Sequence, residues 1–366
     1  MNKLKIYSLI LLYWVLILDI ISYLVLINVT SFIELIQLDL STLNNTMASY
    51  WASPYQLLES TLFGLSFGLL FIAINELSIR FGIDRLSFGS IVLIKSLIYL
   101  LGFGFSAFLV FFTVSMIGIL PEGAWQMIAQ MDYSRQIIAL VLIFLLSQTI
   151  ILNFIVQTIT KFGYKNLSNF LLGKYQNPII EERIFLFMDL KSSTAYAETL
   201  GNIQYSKLIK DCINDINKLV DTYKAEIYQY VGDEVVLTWE SKDKWDVIAG
   251  IDIFYAFKKR LEERSKHYLE KYGVIPEFKA GLHGGKVTVA EIGNIKRDIA
   301  YHGDVLNTAS RIESICNQYQ ERLLVSGWLL KKAATLNGYS SKEIGIVQLK
   351  GKQKKIDVHA VHELIT

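Results

Sequence analysis

RIFLFMDLKSST, residues 183–194, and YQYVGDEVVLTW, residues 228–239, decide the fold of the second half of this chain. In the first, the apolar run Ile184–Met188 reads as a buried strand that ends at Asp189, and Leu190 to Thr194 lead into a helix. In the second, two strand-like runs flank Gly232-Asp233, a two-residue hairpin signal. A hairpin of this kind can set Asp233 beside the end of the first strand, and two close carboxylates repel unless a cation neutralises them. Mg²⁺ suits such a pair, because it prefers oxygen ligands and completes its shell with waters and phosphate oxygens. Ser192, Ser193 and Thr194 are helix-capping residue types, and the turn they form would aim backbone N–H groups at an anion.

Outward from this pair, strand and helix patterns alternate. Helices are expected over about 194–223, 243–272, 304–318 and 327–335. EFKAGLHG and KVTVAEIG read as a second strand pair turning at Gly284-Gly285, and RLLVS, IGIVQLK and KIDVHAVHEL as later short strands. Strands interleaved with long helices and tight hairpins argue for an α+β sandwich of ferredoxin-like type. Within GDVLNTASRIES, Asn307 and Arg311 lie four apart and so share one helical face. There an Asn can orient a ribose oxygen and an Arg can stabilise charge developing on phosphorus. Taken singly, each feature reads as an ordinary turn or a capped surface helix. In this order together they point to chemistry on a nucleoside triphosphate.

With these residues in view, the second half resembles the class III nucleotidyl cyclases. The similarity covers residues 183–366, and RDIAYHGDVLNTASRIE at 297–313 follows that family's RDY…GD…N…ASR signature throughout. The resemblance implies that Asp189, Asp233 and the backbone of Leu190 hold two Mg²⁺ or Mn²⁺ ions per site. It further implies that Ser192–Thr194 and Lys350 serve the phosphates, Asn307 the ribose and Arg311 the transition state. The sequence departs from the family where the purine is read. Gln229 stands where adenylyl members usually carry Lys and guanylyl members Glu; Ala300 stands where Asp, Thr or Cys is usual. Gln both donates and accepts hydrogen bonds and Ala does neither, so the base is open between ATP, the favoured reading, and GTP. Ser193 also replaces a common Phe of the first motif. The family's head-to-tail dimer implies a second copy of the chain as partner. Two rivals remain: a diguanylate cyclase, since YVGDEVV resembles that family's GGDEF hairpin, and a catalytically silent dimerisation or regulatory module.

The first half is built for a different solvent. Residues 1–180 hold nine Lys or Arg and eight Asp or Glu, against 36 and 34 in all 366 residues. Apolar stretches at about 6–28, 56–79, 88–118 and 135–160 meet the roughly 20 residues a helix needs to cross hydrocarbon. An all-α four-helix transmembrane domain at 1–160 is therefore expected, joined by a connector at 161–182 to the catalytic domain. Gly102 and Gly104 mark a bend or a tight helix contact in the third span. Lys3, Lys5, Arg80, Arg85, Lys161, Lys165 and Lys174 all fall on one side of the spans, and the other two connections contain no Lys or Arg. Both termini and the catalytic domain are thus placed in the cytoplasm, with the chain integral to the cytoplasmic membrane and the bilayer as a partner. The first stretch is too long for a signal peptide and lacks a small-residue cleavage site. Asp19 lies deep in a span, whereas Glu76 and Lys95 lie near the cytoplasmic ends, where snorkelling is expected. Cys212 and Cys316, the only cysteines, argue against a disulfide framework. No basic tract interleaved with aromatics points to nucleic acid.

Overall fold

In the computed structural model the chain divides into two compact units, Met1–Leu171 and Leu172–Thr366. The structure describes residues 3–35, 53, 55–83, 86–119, 135–162, 164–241, 245–295, 297–333, 336, 338–349 and 355–364.

Among the described residues the first unit holds helices α1 (Lys3–Leu35), α2 (Tyr55–Arg80), α3 (Phe88–Met116), α4 (Arg135–Phe162) and the short α5 (Tyr164–Leu171). Four of them are long and apolar enough to cross a membrane: Leu4–Phe32, Tyr55–Arg80, Phe88–Met116 and Ala139–Thr160. Large apolar side chains such as Leu12, Leu69, Leu101 and Phe105 face outward, as lipid-facing residues do. The interior is aromatic: Trp14 meets Phe67 edge-on at 4.5 Å, and Phe71 stacks on Tyr99 at 3.8 Å. Small residues permit the close approach. A Cβ on Gly64 would lie 2.6 Å from the Val15 Cα, and one on Gly102 2.4 Å from Leu70; Gly104 has open space beside it, so of the expected pair Gly102 and Gly104 only the first is a contact glycine.

The charges within these apolar helices are met from neighbouring helices. Asp19 accepts from Ser60 Oγ at 2.5 Å and from Thr61 Oγ1 at 3.1 Å, and Glu76 accepts from Tyr7. Lys95 corrects the snorkelling expectation. It is 0% exposed and donates to Asn75 Oδ1 at 3.1 Å, because a cation buried on the helix–helix seam needs a polar acceptor and Asn75 of α2 supplies one.

The second unit begins with β1 (Ile179–Leu190), α6 (Ser193–Val220), β2 (Glu226–Val231), β3 (Glu234–Glu240), α7 (Trp245–Glu263), α8 (Ser265–Tyr272) and β4 (Phe278–Ile292). It continues with β5 (Asp298–His302), α9 (Asp304–Ser314), α10 (Cys316–Tyr319), β6 (Leu323–Ser326), α11 (Gly327–Lys332), β7 (Tyr339–Val347) and β8 (Ile356–Glu363). The sheet order is β2-β3-β1-β4-β6-β8-β7, with β5 paired to β4 off this path. Its first four strands are antiparallel neighbours joined through α6 and α7–α8, the split βαβ pattern of a ferredoxin-like sandwich. One face of β1 (Ile184, Leu186, Met188, Leu190) packs with Leu208, Ile216, Phe254 and Phe257 of the helices. Phe185 and Phe187 on the other face pack with Tyr175, Val289, Val305 and Ala309. This alternation lets an almost wholly apolar run form a strand buried on both sides.

Five local expectations are corrected. Gly284-Gly285 is not a hairpin turn: β4 runs through both, paired with β1 from Val289 to Phe278. The glycines serve packing, because a Cβ on Gly284 would lie 3.1 Å from the Trp328 ring and one on Gly285 2.9 Å from Val305. DIAYH, which is not among the strands expected above, forms β5. The expected helix over 243–272 breaks at Arg264, and α6 kinks at Gly201, where φ is +70°. Ser192 caps α6 with left-handed backbone (φ +60°) and no side-chain hydrogen bond, so its hydroxyl does not perform the capping that its residue type suggests.

Candidate active site

Asp189 is the penultimate residue of β1, where the chain emerges from the core; Leu190 beside it is buried and paired with Phe278. Asp233 sits in the two-residue turn between β2 and β3, with Gly232 at φ +64° and Val231 paired to Glu234. Because β3 pairs with β1 from Glu240–Arg183 to Val235–Met188, the turn arrives at the end of β1. The two aspartates interact as anticipated. Burial first, and then repulsion from Asp233, raises the Asp189 carboxyl above its usual range, with Lys279 opposing.

The surrounding charges were not foreseen. Lys279, which faces Asp189 in the β1–β4 register, lies 3.2 Å from Asp189 Oδ2 and 2.6 Å from Glu313 Oε1. Burial pulls its ammonium down, but Glu313 and Asp189 outweigh that and hold it above its ordinary value. Glu234 is pushed up to about 7 by burial, then by Glu313, Asp189 and Asp233. Glu313 is raised by burial, with Asp189 and Asp233 adding to the effect. Lys279 thus pairs with two carboxylates, Asp189 and Glu313, while Asp233 and Glu234 add to the negative charge around them. The available signal was the Glu next to the hairpin Asp; the register that sets residue 279 opposite residue 189 belongs to the folded sheet.

This arrangement fits a divalent cation. Asp233 Oδ2 is buried with no hydrogen-bond partner, a costly state for a carboxylate oxygen, and excess negative charge raises the acids around it. Among the described residues no group of three or more His, Cys, Asp or Glu side chains is arranged as a metal site. Two carboxylates and a backbone carbonyl would therefore need oxygens from water or substrate, as Mg²⁺ sites usually do.

Helix α9 buries Val305, Thr308, Ala309, Ile312 and Glu313 against the sheet and leaves Asn307 exposed, with Arg311 one turn further on. It lies directly on Gly281, where a Cβ would be 2.3 Å from the Glu313 nitrogen and 2.5 Å from the Ala309 oxygen. Glu313 on its inner face is what reaches Lys279. Among the described residues no hydrogen bond or ion pair joins Asn307 or Arg311 to the aspartates.

Gln229 is exposed on the edge strand β2, and Ala300 is buried on β5 opposite Ala290. Their sequence neighbours bring the two strands together: the rings of Tyr228 and Tyr301 meet edge-on at 4.9 Å. Ser192 and Thr194 are exposed at the start of α6, with Ser193 half-buried. Lys350 lies outside the described residues.

Residues 177–363 match the family described as the adenylate and guanylate cyclase catalytic domain. Adenylate cyclase 2 of Rhizobium meliloti (strain 1021) is 30% identical over 218 residues, 60% of this chain and 60% of that protein. An adenylate cyclase of Anabaena cylindrica is 27% identical over 181 residues, 48% of this chain and 36% of that protein. This chain therefore spans less than two thirds of either relative. Among solved structures, the adenylyl cyclase CyaB from P. aeruginosa aligns with a TM-score of 0.47 at 21% identity, covering 52% of this chain and 97% of that one. With the match spanning 177–363 and the signature residues mounted on β1, the β2–β3 turn and α9, the chain belongs to the adenylate and guanylate cyclase catalytic-domain family.

Proposed function

We propose that this protein is a membrane-anchored nucleotidyl cyclase converting ATP, the favoured substrate, or GTP to the 3′,5′-cyclic nucleotide and pyrophosphate, at a site shared by two copies. One observation carries the shared-site reading. Asn307 points away from its own sheet while the inner face of α9 is buried, so the helix offers its polar face to something outside the domain. Head-to-tail association of two copies would bring that face to the Asp189–Asp233 pair of the other and generate two equivalent sites.

In each site, Asp189, Asp233 and the Leu190 carbonyl would hold two Mg²⁺ or Mn²⁺ ions, which lower the pKa of a bound hydroxyl and neutralise polyphosphate charge. Ser192–Thr194, at the start of α6, and Lys350 would receive the β- and γ-phosphates. Asn307 of the partner subunit would orient the ribose so that its 3′-oxygen lies in line with the α-phosphorus. The 3′-hydroxyl gives up its proton to water, and the 3′-oxygen–phosphorus bond forms as the bond to the bridging oxygen of pyrophosphate breaks. Arg311 of the partner subunit would stabilise the charge that develops on the phosphoryl oxygens. Gln229 and Ala300 would border the base.

The anchor would be the four helices of residues 1–160, followed by the connector at 161–182. The clustering of Lys and Arg outside the spans supports placing both termini and the catalytic domain in the cytoplasm. The direct test is incubation of the purified full-length protein with ATP or GTP and Mg²⁺ or Mn²⁺, followed by product identification by mass. Cyclic AMP or cyclic GMP with pyrophosphate is the expected result; cyclic di-GMP, or no product, would overturn the proposal in favour of one of its rivals.

A further inference from the structure

Gln229 and Ala300 stand on strands that the backbone ladders hold from one side only. β1, β3 and β4 each have hydrogen-bonded strands on both sides, whereas β2 is the outermost strand, paired to β3 alone and bulged between Ile227 and Gln229. β5 is a five-residue strand paired to β4 alone. Backbone ladders therefore hold β1 from both sides up to Met188, with Asp189 itself paired to Lys279 of β4, whereas the base-reading positions stand on strands laddered on one side only.

A side chain supplies the missing tie. Arg183, at the other end of β1 from the aspartate and on the same face, is 0% exposed. Its Nη1 donates to Glu226 Oε2 at 3.1 Å, at the start of β2, and its guanidinium lies 4.8 Å from the centre of the Tyr301 ring on β5. Tyr301 in turn packs against Phe185 of β1 at 5.4 Å and Tyr228 of β2 at 4.9 Å. Nε donates to Glu181 Oε2 at 2.7 Å; Glu181 also accepts from Lys174 at 2.9 Å and from the Tyr175 hydroxyl at 3.1 Å. A planar cation that forks to two carboxylates and stacks on an aromatic face fixes orientation as well as distance, which a lysine cannot do. Nothing in the nucleotide chemistry requires an ion this deep, and its partners tie it to β2 and β5.

We infer that Arg183 is a positioning residue for nucleotide selection: by clamping Glu226 of β2 and Tyr301 of β5, it sets the spacing of Gln229 and Ala300 that bounds the base pocket. It touches no substrate and acts through those two strands. The inference rests on the cyclase reading above, and its test retains a readout that does not need turnover.

The experiment compares full-length wild type with Arg183→Lys, Arg183→Met and Tyr301→Leu, the last removing the stacking face while leaving the charges paired. Three quantities are read: kcat and KM with ATP and with GTP, affinity for a fluorescent ATP analogue, and Mn²⁺ affinity by paramagnetic resonance. The expected signature is a nucleotide affinity at least tenfold weaker, a changed ATP/GTP ratio of kcat/KM, and Mn²⁺ affinity within about twofold of wild type, since the ladders of β1 and β3 still hold the aspartates. If Arg183→Met does not fold, Arg183→Lys and Tyr301→Leu carry the test. Unchanged nucleotide affinity and selectivity in these folded variants would overturn the inference. So would a parallel loss of Mn²⁺ and nucleotide affinity, which marks a general stabiliser of the domain. A wild type that binds nucleotide but forms no cyclic product would instead sink the cyclase reading and leave the binding comparison readable.

Discussion

At the scale of single residues, the proposed site separates groups that hold from groups that act. Arg311→Ala should lower kcat by on the order of 10² or more with little change in KM, because a donor aimed at transition-state charge contributes little in the ground state. Near-normal turnover by this variant in initial-rate assays would remove Arg311 from its role. Glu234 provides a pH signature. Its carboxyl, raised to about 7, binds a proton in the native state that the unfolded chain has released, so cation-free protein loses stability as pH rises from about 4.3 to 7. Divalent cation restores what deprotonation costs. The thermal midpoint in chelator should therefore fall across this window, and the gain on adding Mg²⁺ should widen with pH; Glu234→Gln should flatten both trends. Asp189 and Asp233 were legible because an apolar strand and a Gly-Asp turn announce them locally. Lys279 and Glu313 were not, since their importance lies in a strand register and a helix crossing that no local pattern encodes.

At the scale of elements, α9 is positioned by a missing side chain. Gly281→Ala would set a Cβ 2.3 Å from the Glu313 nitrogen, so the helix must lift off β4. Overpacking of this kind costs about 1–3 kcal/mol. Because Asn307 and Arg311 ride on that helix, activity should fall at least tenfold, more than the loss of folded protein explains; rates normalised to the folded fraction check this. Gly281 lies within the same KAGLHGG stretch that suggested a turn. A pair of glycines reads alike whether it permits a hairpin or a close helix crossing, and only the packing of Val305 and Trp328 tells the two apart. β5 was missed for a related reason. Five residues with a half-polar pattern, flanked by charge, give no period that local reading can use, although they are held by a full ladder to β4.

At the scale of the whole molecule, two predictions concern architecture. The first is orientation. Tags at both termini should be reached by a membrane-impermeant probe only after permeabilisation, and a tag in the connection between α1 and α2 should be reached before it; the reverse pattern would invert the proposed topology. The four apolar spans were plain in the sequence because hydrocarbon imposes a composition on the entire helix. Which charges face its interior was less plain, and Lys95 shows why: whether a lysine snorkels or turns inward depends on an acceptor from another helix, here Asn75. The second prediction is the shared site, the claim on which the mechanism turns. Asp189→Asn and Asn307→Ala should each abolish cyclic nucleotide formation alone, since every homodimeric site loses one half. Co-expressed in one membrane, about half of the dimers pair the two variants and each such dimer rebuilds one intact site of two, so about a quarter of the wild-type rate should return. Recovery near that fraction in the mixed membranes is what a shared site predicts, and a mixture as inactive as either variant alone would contradict it.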